Sequence, residues 1–169
     1  PPHRHLLHLH SFPTRRSSDL YSRLKEEPRM NSVRSFLFCG EVLPNELAKK
    51  LVANFPNAKV INTYGPTEAT VATTYVEIDQ DIIDTYNPLP VGTSKRESKL
   101  LIENDEIVIQ GPNVSIGYVA NPSLNAEKFI IIDGQRAFKT GDKGYLDNGM
   151  LFFKGREDDL IKLHGFRIE

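Results

Sequence analysis

One cysteine, two methionines and no tryptophan occur among the 169 residues. The lone Cys39 excludes an internal disulfide framework and suits a reducing, cytoplasmic setting. Neither sign of charge dominates: 21 Lys and Arg stand against 22 Asp and Glu, for a formal net charge of −1. So balanced a chain has no general attraction to nucleic acid or to an anionic membrane surface, and neither is expected as a partner. Long apolar runs are missing too, which excludes membrane insertion through a spanning helix. No internal repeat and no low-complexity stretch follows residue 20. What is present is ordinary for a globular chain, with 39% hydrophobic and 25% charged residues. The length allows one domain or parts of two.

Four of the five histidines crowd into "PPHRHLLHLH", where His3, His5, His8 and His10 have the composition of a metal tract. The following "HSFPTRRSSDL" resembles the in-frame translation of a common short-read sequencing adapter. Residues 1–20 are therefore read as a disordered artefact and set aside from fold reasoning; a basic, disordered tail would be set aside in the same way.

From there the apolar periodicity organises the chain. "VRSFLFCG" reads as a buried strand, and "AKVINTYG" as a second. Between them "PNELAKKLVANF" puts Leu47, Ala48, Leu51, Val52 and Phe55 on one helical face, with Pro44 in the first turn. Strand, helix, strand at this spacing is a βαβ unit with parallel strands. "ATVATTYVEI" continues in β-favouring residues. After "NPLPVG" the character changes. "SKLLIENDEIVIQG" reads as a hairpin turning near Asn104-Asp105. "PSLNAEKF" is a short helix capped by Ser123. "RAFKTGDKGYLDNGMLFFKGRED" is a second hairpin, turning at Asp147-Asn148-Gly149. The expected architecture is α/β over residues 21–92, then a small β-rich, barrel-like subdomain over 93–156, then a hinge and the start of a further domain over 157–169.

Three stretches carry candidate chemistry. In "INTYGPTEAT" a Gly-Pro turn stands between a flat aromatic and a Thr-Glu pair, at the carboxyl end of a strand, where open α/β sheets bind ligands. Tyr64 offers a face on which a purine can stack, Gly65 close backbone approach, Thr67 a hydroxyl for a phosphate, and Glu68 a ligand for a hard cation such as Mg²⁺. In "KTGD", Asp142 has two acceptor oxygens suited to the adjacent 2′ and 3′ hydroxyls of a ribose. In "FKGREDDLIKLHGFRIE", Arg156 can donate to the ribose or to a phosphate. Each stretch by itself also reads as a solvated turn or an interdomain linker.

Together, and in this order, "NTYGPTE", "KTGD" and "GREDDLIKLHGFRIE" resemble the adenylate-forming superfamily of acyl-CoA synthetases, luciferases and peptide-synthetase adenylation domains. The resemblance covers residues 21–169 and implies a fragment of the large N-terminal domain of that fold. "FLFCGEVLPNELAKKL", "NTYGPTEATVATT" and "IDGQRAFKTGDKGYLDNGMLFFKGR" are most similar to its D-alanine-activating branch, which charges a carrier protein for D-alanylation of lipoteichoic acid in the cell wall. Between Ile102 and Glu106 the chain is shorter than many members, within a hairpin.

The resemblance implies an ATP-dependent, AMP-forming acid–thiol ligase that makes D-alanyl-AMP and passes D-alanine to a phosphopantetheine thiol on D-alanyl carrier protein. It assigns Asn62, Thr63, Tyr64, Gly65, Pro66 and Thr67 to ATP, and Glu68 to Mg²⁺. Asp142 then takes the ribose, and Phe153, Lys154, Gly155 and Arg156 close over the nucleoside. Cys39 and Val71 line the D-alanine pocket, Cys39 for its size and not as a nucleophile. Asp158 is the hinge. The phosphate loop is expected upstream and the catalytic lysine beyond Glu169; Lys162 is not that lysine, so the chain alone is expected to be inactive. The alternatives are an adenylation domain for another small amino or carboxylic acid, or an inert nucleotide-binding fragment.

Overall fold

The computed structural model describes residues 32–156 in full and the backbone of Ile161–Leu163 and Phe166–Ile168. Residues 1–20, read above as an artefact, and Asp158 lie outside the described residues. Two compact units are present. One holds the described residues through Asn62, Glu77–Leu89 and the described strands after residue 160; the other holds Thr63–Val76 and the described residues from Pro90 to Arg156. The stretch Thr63–Val76 thus folds with the later segment rather than with the residues that precede it.

In the first unit, β1 (Ser35–Phe38) and β2 (Lys59–Asn62) pair in parallel, with Phe36 opposite Val60. Helix α1 (Asn45–Asn54) joins them, as the crossover between parallel strands requires. It buries Leu47, Ala48 and Leu51, while Val52 and Phe55 are half-buried. Pro44 sits one residue before the helix, its extended backbone at the N-cap. Phe36 packs edge-on against Phe55, ring centres 5.0 Å apart. A helix not expected from sequence, α2 (Gln80–Thr85), starts where the Asp79 carboxylate accepts a hydrogen bond from the Ile82 amide. Asn45 ties α1 to α2 by donating to the Tyr86 carbonyl at 3.0 Å.

The second unit is mainly antiparallel. β3 (Thr74–Ile78) pairs through Thr74 and Tyr75 with the short β4 (Thr93–Ser94). β5 (Lys99–Glu103), β6 (Glu106–Gln110), β8 (Gln135–Asp147) and β7 (Phe129–Ile132) follow in that spatial order, and β9 (Met150–Arg156) also pairs with β8. Among the described residues these strands form a five-stranded sheet rather than a closed barrel. Both expected hairpins are present. Asn104 and Asp105 have φ of 50° and 66°, and Asn148 and Gly149 have φ of 48° and 77°, the left-handed pairs that two-residue turns need. Helix α3 (Pro122–Lys128) is capped by Asn121 and not by Ser123: the Asn121 side chain accepts from the Leu124 amide, and Ser123 donates to Asn121. Pro122 then occupies the first helical position, where no amide is needed. Ala69, Ile107, Ile109, Val114, Phe138 and Leu151 form the core, and Tyr64, Tyr118, Phe129 and Phe153 pack against it. Strands β10 (Ile161–Leu163) and β11 (Phe166–Ile168) form a separate antiparallel pair. No helix among the described residues is long and apolar enough to cross a membrane.

The cap correction is directly measurable. Asn121→Ala should cost about 1 kcal/mol in urea unfolding, the usual worth of an N-cap, whereas Ser123→Ala should cost less than about 0.5 kcal/mol.

Candidate functional site

The segment from Tyr64 to Thr74 closes on itself. The Tyr64 carbonyl accepts from the Thr73 and Thr74 amides at 2.8 and 2.9 Å, and the Tyr64 amide donates to Thr74 Oγ1. A single 3₁₀ turn, Thr67–Ala69, sits inside, and Ala69 is fully buried as its plug into the core. A Cβ on Gly65 would stand 2.3 Å from the Val71 carbonyl oxygen and 2.7 Å from the Thr73 amide, so glycine is required there by contact with backbone. Asn113 braces the loop from outside by donating to the Ala69 carbonyl and to Thr73 Oγ1. Thr70 and Val71 both have φ of 61°. For the β-branched Val71, which is 55% exposed, that is a strained conformation held by its surroundings.

"KTGD" is not a surface turn. It is a distortion inside β8, where Val108 faces Lys139 and Glu106 faces Lys143, so three residues of β8 oppose one of β6. Side chains take over for the broken ladder. Thr140 Oγ1 donates to the Ile107 carbonyl at 2.7 Å and accepts from the Asp142 amide at 3.0 Å, while the Gly141 amide donates to Glu106 Oε1 at 2.7 Å. Gly141, at φ 72°, adopts the left-handed backbone this requires. The bulge turns Asp142 toward Tyr64 and Arg156.

There Asp142 is held from two sides. Tyr64 Oη donates to its Oδ2 at 2.6 Å, and Arg156 Nη1 to its Oδ1 at 2.7 Å. The Asp142 side chain is only 9% exposed. Burial, and then the nearby Asp142 charge, push the Tyr64 phenol well above its usual range, so it remains a protonated donor. The Phe153 ring lies 5.9 Å from that of Tyr64, tilted by 35°. Sequence residues 64, 142, 153 and 156 are thus brought into one cluster.

The other expected site residues are placed differently. Lys154 points away from Asp142: its ammonium lies over the Tyr145 ring and 4.0 Å from Asp105. Thr67 is exposed at the start of the 3₁₀ turn, Pro66 accepts through its carbonyl from the Ala69 and Val71 amides, and Gly155 bends β9 at φ 127°. Asn62 and Thr63 are buried. Cys39, half-buried, belongs to the first unit and Val71 to the second. Glu68 is half-buried, and its Oε1 accepts from Tyr118 Oη at 2.6 Å. Tyr118 is the residue the sequence reading missed. A tyrosine between the exposed Ile116 and Val119 was the only local signal, and its partner is 50 residues away.

Residues 4–119 match the family model described as "AMP-binding enzyme". A D-alanine–D-alanyl carrier protein ligase of Bacillus cytotoxicus is 54% identical over 154 residues, spanning 85% of this chain and 31% of that protein. Among solved structures, the Vibrio cholerae adenylation domain AlmE in complex with glycyl-adenosine-5′-phosphate superposes with TM-score 0.78 at 26% identity, over 89% of this chain and 31% of that one. An NRPS protein containing adenylation and PCP domains gives TM-score 0.78 at 25% identity, over 90% of this chain and 29% of that one. The chain therefore spans about a third of the length of the curated relative it matches.

Gly65 offers a test of the local geometry. Gly65→Ala should destabilise the second unit by roughly 2–4 kcal/mol, because the clash is with backbone that cannot step aside. Denaturant unfolding of this variant beside wild type measures it.

Proposed function

The chain belongs to the AMP-binding enzyme family, and from that premise we propose that the protein carrying it activates D-alanine with ATP and transfers it to a carrier protein. The carboxylate of D-alanine attacks the α-phosphorus, the α–β phosphoanhydride bond breaks, and pyrophosphate leaves. A phosphopantetheine thiol of the carrier then attacks the acyl carbon, forming a thioester and releasing AMP. The observation that carries this reading is the meeting of Tyr64, Asp142 and Arg156 beside Phe153. Tyr64 and Arg156 fix the orientation of the Asp142 carboxylate, whose two acceptor oxygens suit the adjacent ribose hydroxyls. The Tyr64 ring is the stacking face for adenine, and the tightness of Gly65 brings backbone close to the phosphates. Thr67 supplies an exposed hydroxyl to them.

Glu68 suits Mg²⁺. No group of three or more His, Cys, Asp or Glu able to hold a metal occurs among the described residues. Mg²⁺ commonly takes one or two carboxylates, with substrate phosphates and water completing its shell. When bound it neutralises phosphate charge as negative charge gathers in adenylation. Cys39 and Val71 are proposed for the D-alanine side chain on the family resemblance alone. The high identity to a D-alanine ligase supports D-alanine over another small acid. The proposed setting is cytoplasmic, where ATP is available.

The deciding experiment is D-alanine-dependent exchange of labelled pyrophosphate into ATP by the full-length protein that carries this chain. Exchange with D-alanine above other small amino acids is expected; exchange with none would overturn the reading. Asp142→Asn and Arg156→Gln should each weaken ATP binding by roughly 1–3 kcal/mol, and the double variant by less than the sum, because both act on one ribose and on each other. Strictly additive losses would separate the two residues. Cys39→Trp should abolish D-alanine activation while leaving ATP affinity within about twofold, because a large ring overfills a pocket shaped for a methyl group; substrate titration distinguishes the two.

A further inference from the structure

Tyr118 is held with unusual completeness for a loop residue. The side chain of Asn125, on α3, takes both of its backbone groups: the Tyr118 amide donates to Asn125 Oδ1 at 2.7 Å, and Asn125 Nδ2 donates to the Tyr118 carbonyl at 2.9 Å. Gly117 has φ of 133°, and a Cβ there would stand 2.9 Å from Asn125 Oδ1, so the clamp needs glycine beside it. The Tyr118 ring packs edge-on against Phe129 at 5.3 Å. All of this aims one atom, Tyr118 Oη, at Glu68 Oε1 at 2.6 Å. The Ser115 amide, from the same loop, donates to the Glu68 carbonyl at 2.8 Å, so main chain and side chain of Glu68 are gripped together. Glu68 Oε2 accepts no hydrogen bond among the described residues.

From this geometry we infer that Tyr118 is a positioning residue that makes Glu68 a one-oxygen ligand and so biases its cation site toward Mg²⁺ over Ca²⁺. The inference rests on the proposed role of Glu68. A phenol bonded to one carboxylate oxygen fixes the rotation of the group and leaves the other oxygen to face a cation. Mg²⁺ demands near-ideal octahedral geometry with short bonds, which a single fixed oxygen satisfies. Ca²⁺ readily takes both oxygens of a carboxylate and tolerates irregular shells. Bidentate binding would require Glu68 to give up the Tyr118 bond, a cost that falls on Ca²⁺ alone.

The test titrates ATP binding to the full-length protein that carries this chain, in EDTA, in Mg²⁺ and in Ca²⁺, for wild type, Tyr118→Phe and Glu68→Gln. Tyr118→Phe keeps the ring against Phe129 and removes only the hydroxyl. It should bind ATP in EDTA as wild type does, and should need about tenfold more Mg²⁺ for half-maximal enhancement, the scale of one hydrogen bond to a charged group. Its preference for Mg²⁺ over Ca²⁺ should narrow, which a purely structural role would not produce. An unchanged Mg²⁺ requirement and preference in Tyr118→Phe, with a raised requirement in Glu68→Gln, would overturn the positioning role alone. No change in Glu68→Gln would overturn Glu68 as a cation ligand and this inference with it. If Tyr118→Phe does not fold, Asn125→Ser, which loosens the clamp but keeps the hydroxyl, decides: a narrowed preference supports the role and an unchanged one overturns it.

Discussion

A nearly buried carboxylate has to be compensated, and the second unit is arranged around that requirement at Asp142. Removing such a charge from water costs several kcal/mol unless charge-assisted hydrogen bonds replace the lost solvation. Tyr64 and Arg156 supply those bonds from opposite directions. Neither partner is near Asp142 in sequence by the standard of a turn; one is 78 residues away and the other 14. To bring them together the chain breaks β8 at Gly141, satisfies the interrupted ladder with Thr140 and Glu106, and closes a loop on Tyr64. Buried charge with a fixed set of donors is weak evidence for stability alone. It fits preorganisation: the acceptor is already oriented for the proposed sugar with its two adjacent hydroxyls.

The same core that fixes this cluster also fixes Glu68. Ala69, the residue after Glu68, is the plug, fully buried among Ile107, Ile109, Val114, Phe138 and Leu151. Its burial sets the 3₁₀ turn, and the turn sets Glu68 on the residue before it. Tyr118 and Phe129 pack against that core as well, which is why the Tyr118 hydroxyl reaches Glu68 with little freedom. Thus one apolar cluster of ordinary aliphatic residues aligns two polar elements with separate proposed roles, sugar and cation. Val71 lies just past the turn with a backbone that valine avoids, and the closed loop from Tyr64 to Thr74 holds it there.

Much of this was legible in the sequence, for identifiable reasons. The βαβ pattern of β1, α1 and β2 follows from apolar spacing at periods of two and 3.6. The hairpins at Asn104-Asp105 and Asn148-Gly149 follow from residues that tolerate left-handed backbone. The grouping of Tyr64, Asp142 and Arg156 was suggested by a family resemblance, since no local rule predicts a contact across 78 residues. Local rules misjudged "KTGD", because Thr and Gly beside Asp also make turns, and only the partner strand shows that they make a bulge. The α3 cap was misplaced by two residues because Asn121 and Ser123 both have capping side chains. α2 was missed although Asp79 before "QDIIDT" is a recognisable start. Tyr118 was invisible because its meaning lies wholly in a tertiary partner.

Asp142, held by Tyr64 and Arg156, is proposed to receive the ribose of a nucleotide. That role is tested most directly by comparing the affinities of ATP and 2′,3′-dideoxy-ATP for the full-length protein that carries this chain, by calorimetric titration. A site built to bond hydroxyls rejects an analogue that lacks them, because its own polar groups are left unpaired. The dideoxy nucleotide should bind more weakly by about tenfold or more. Equal affinities for the two nucleotides would contradict that role.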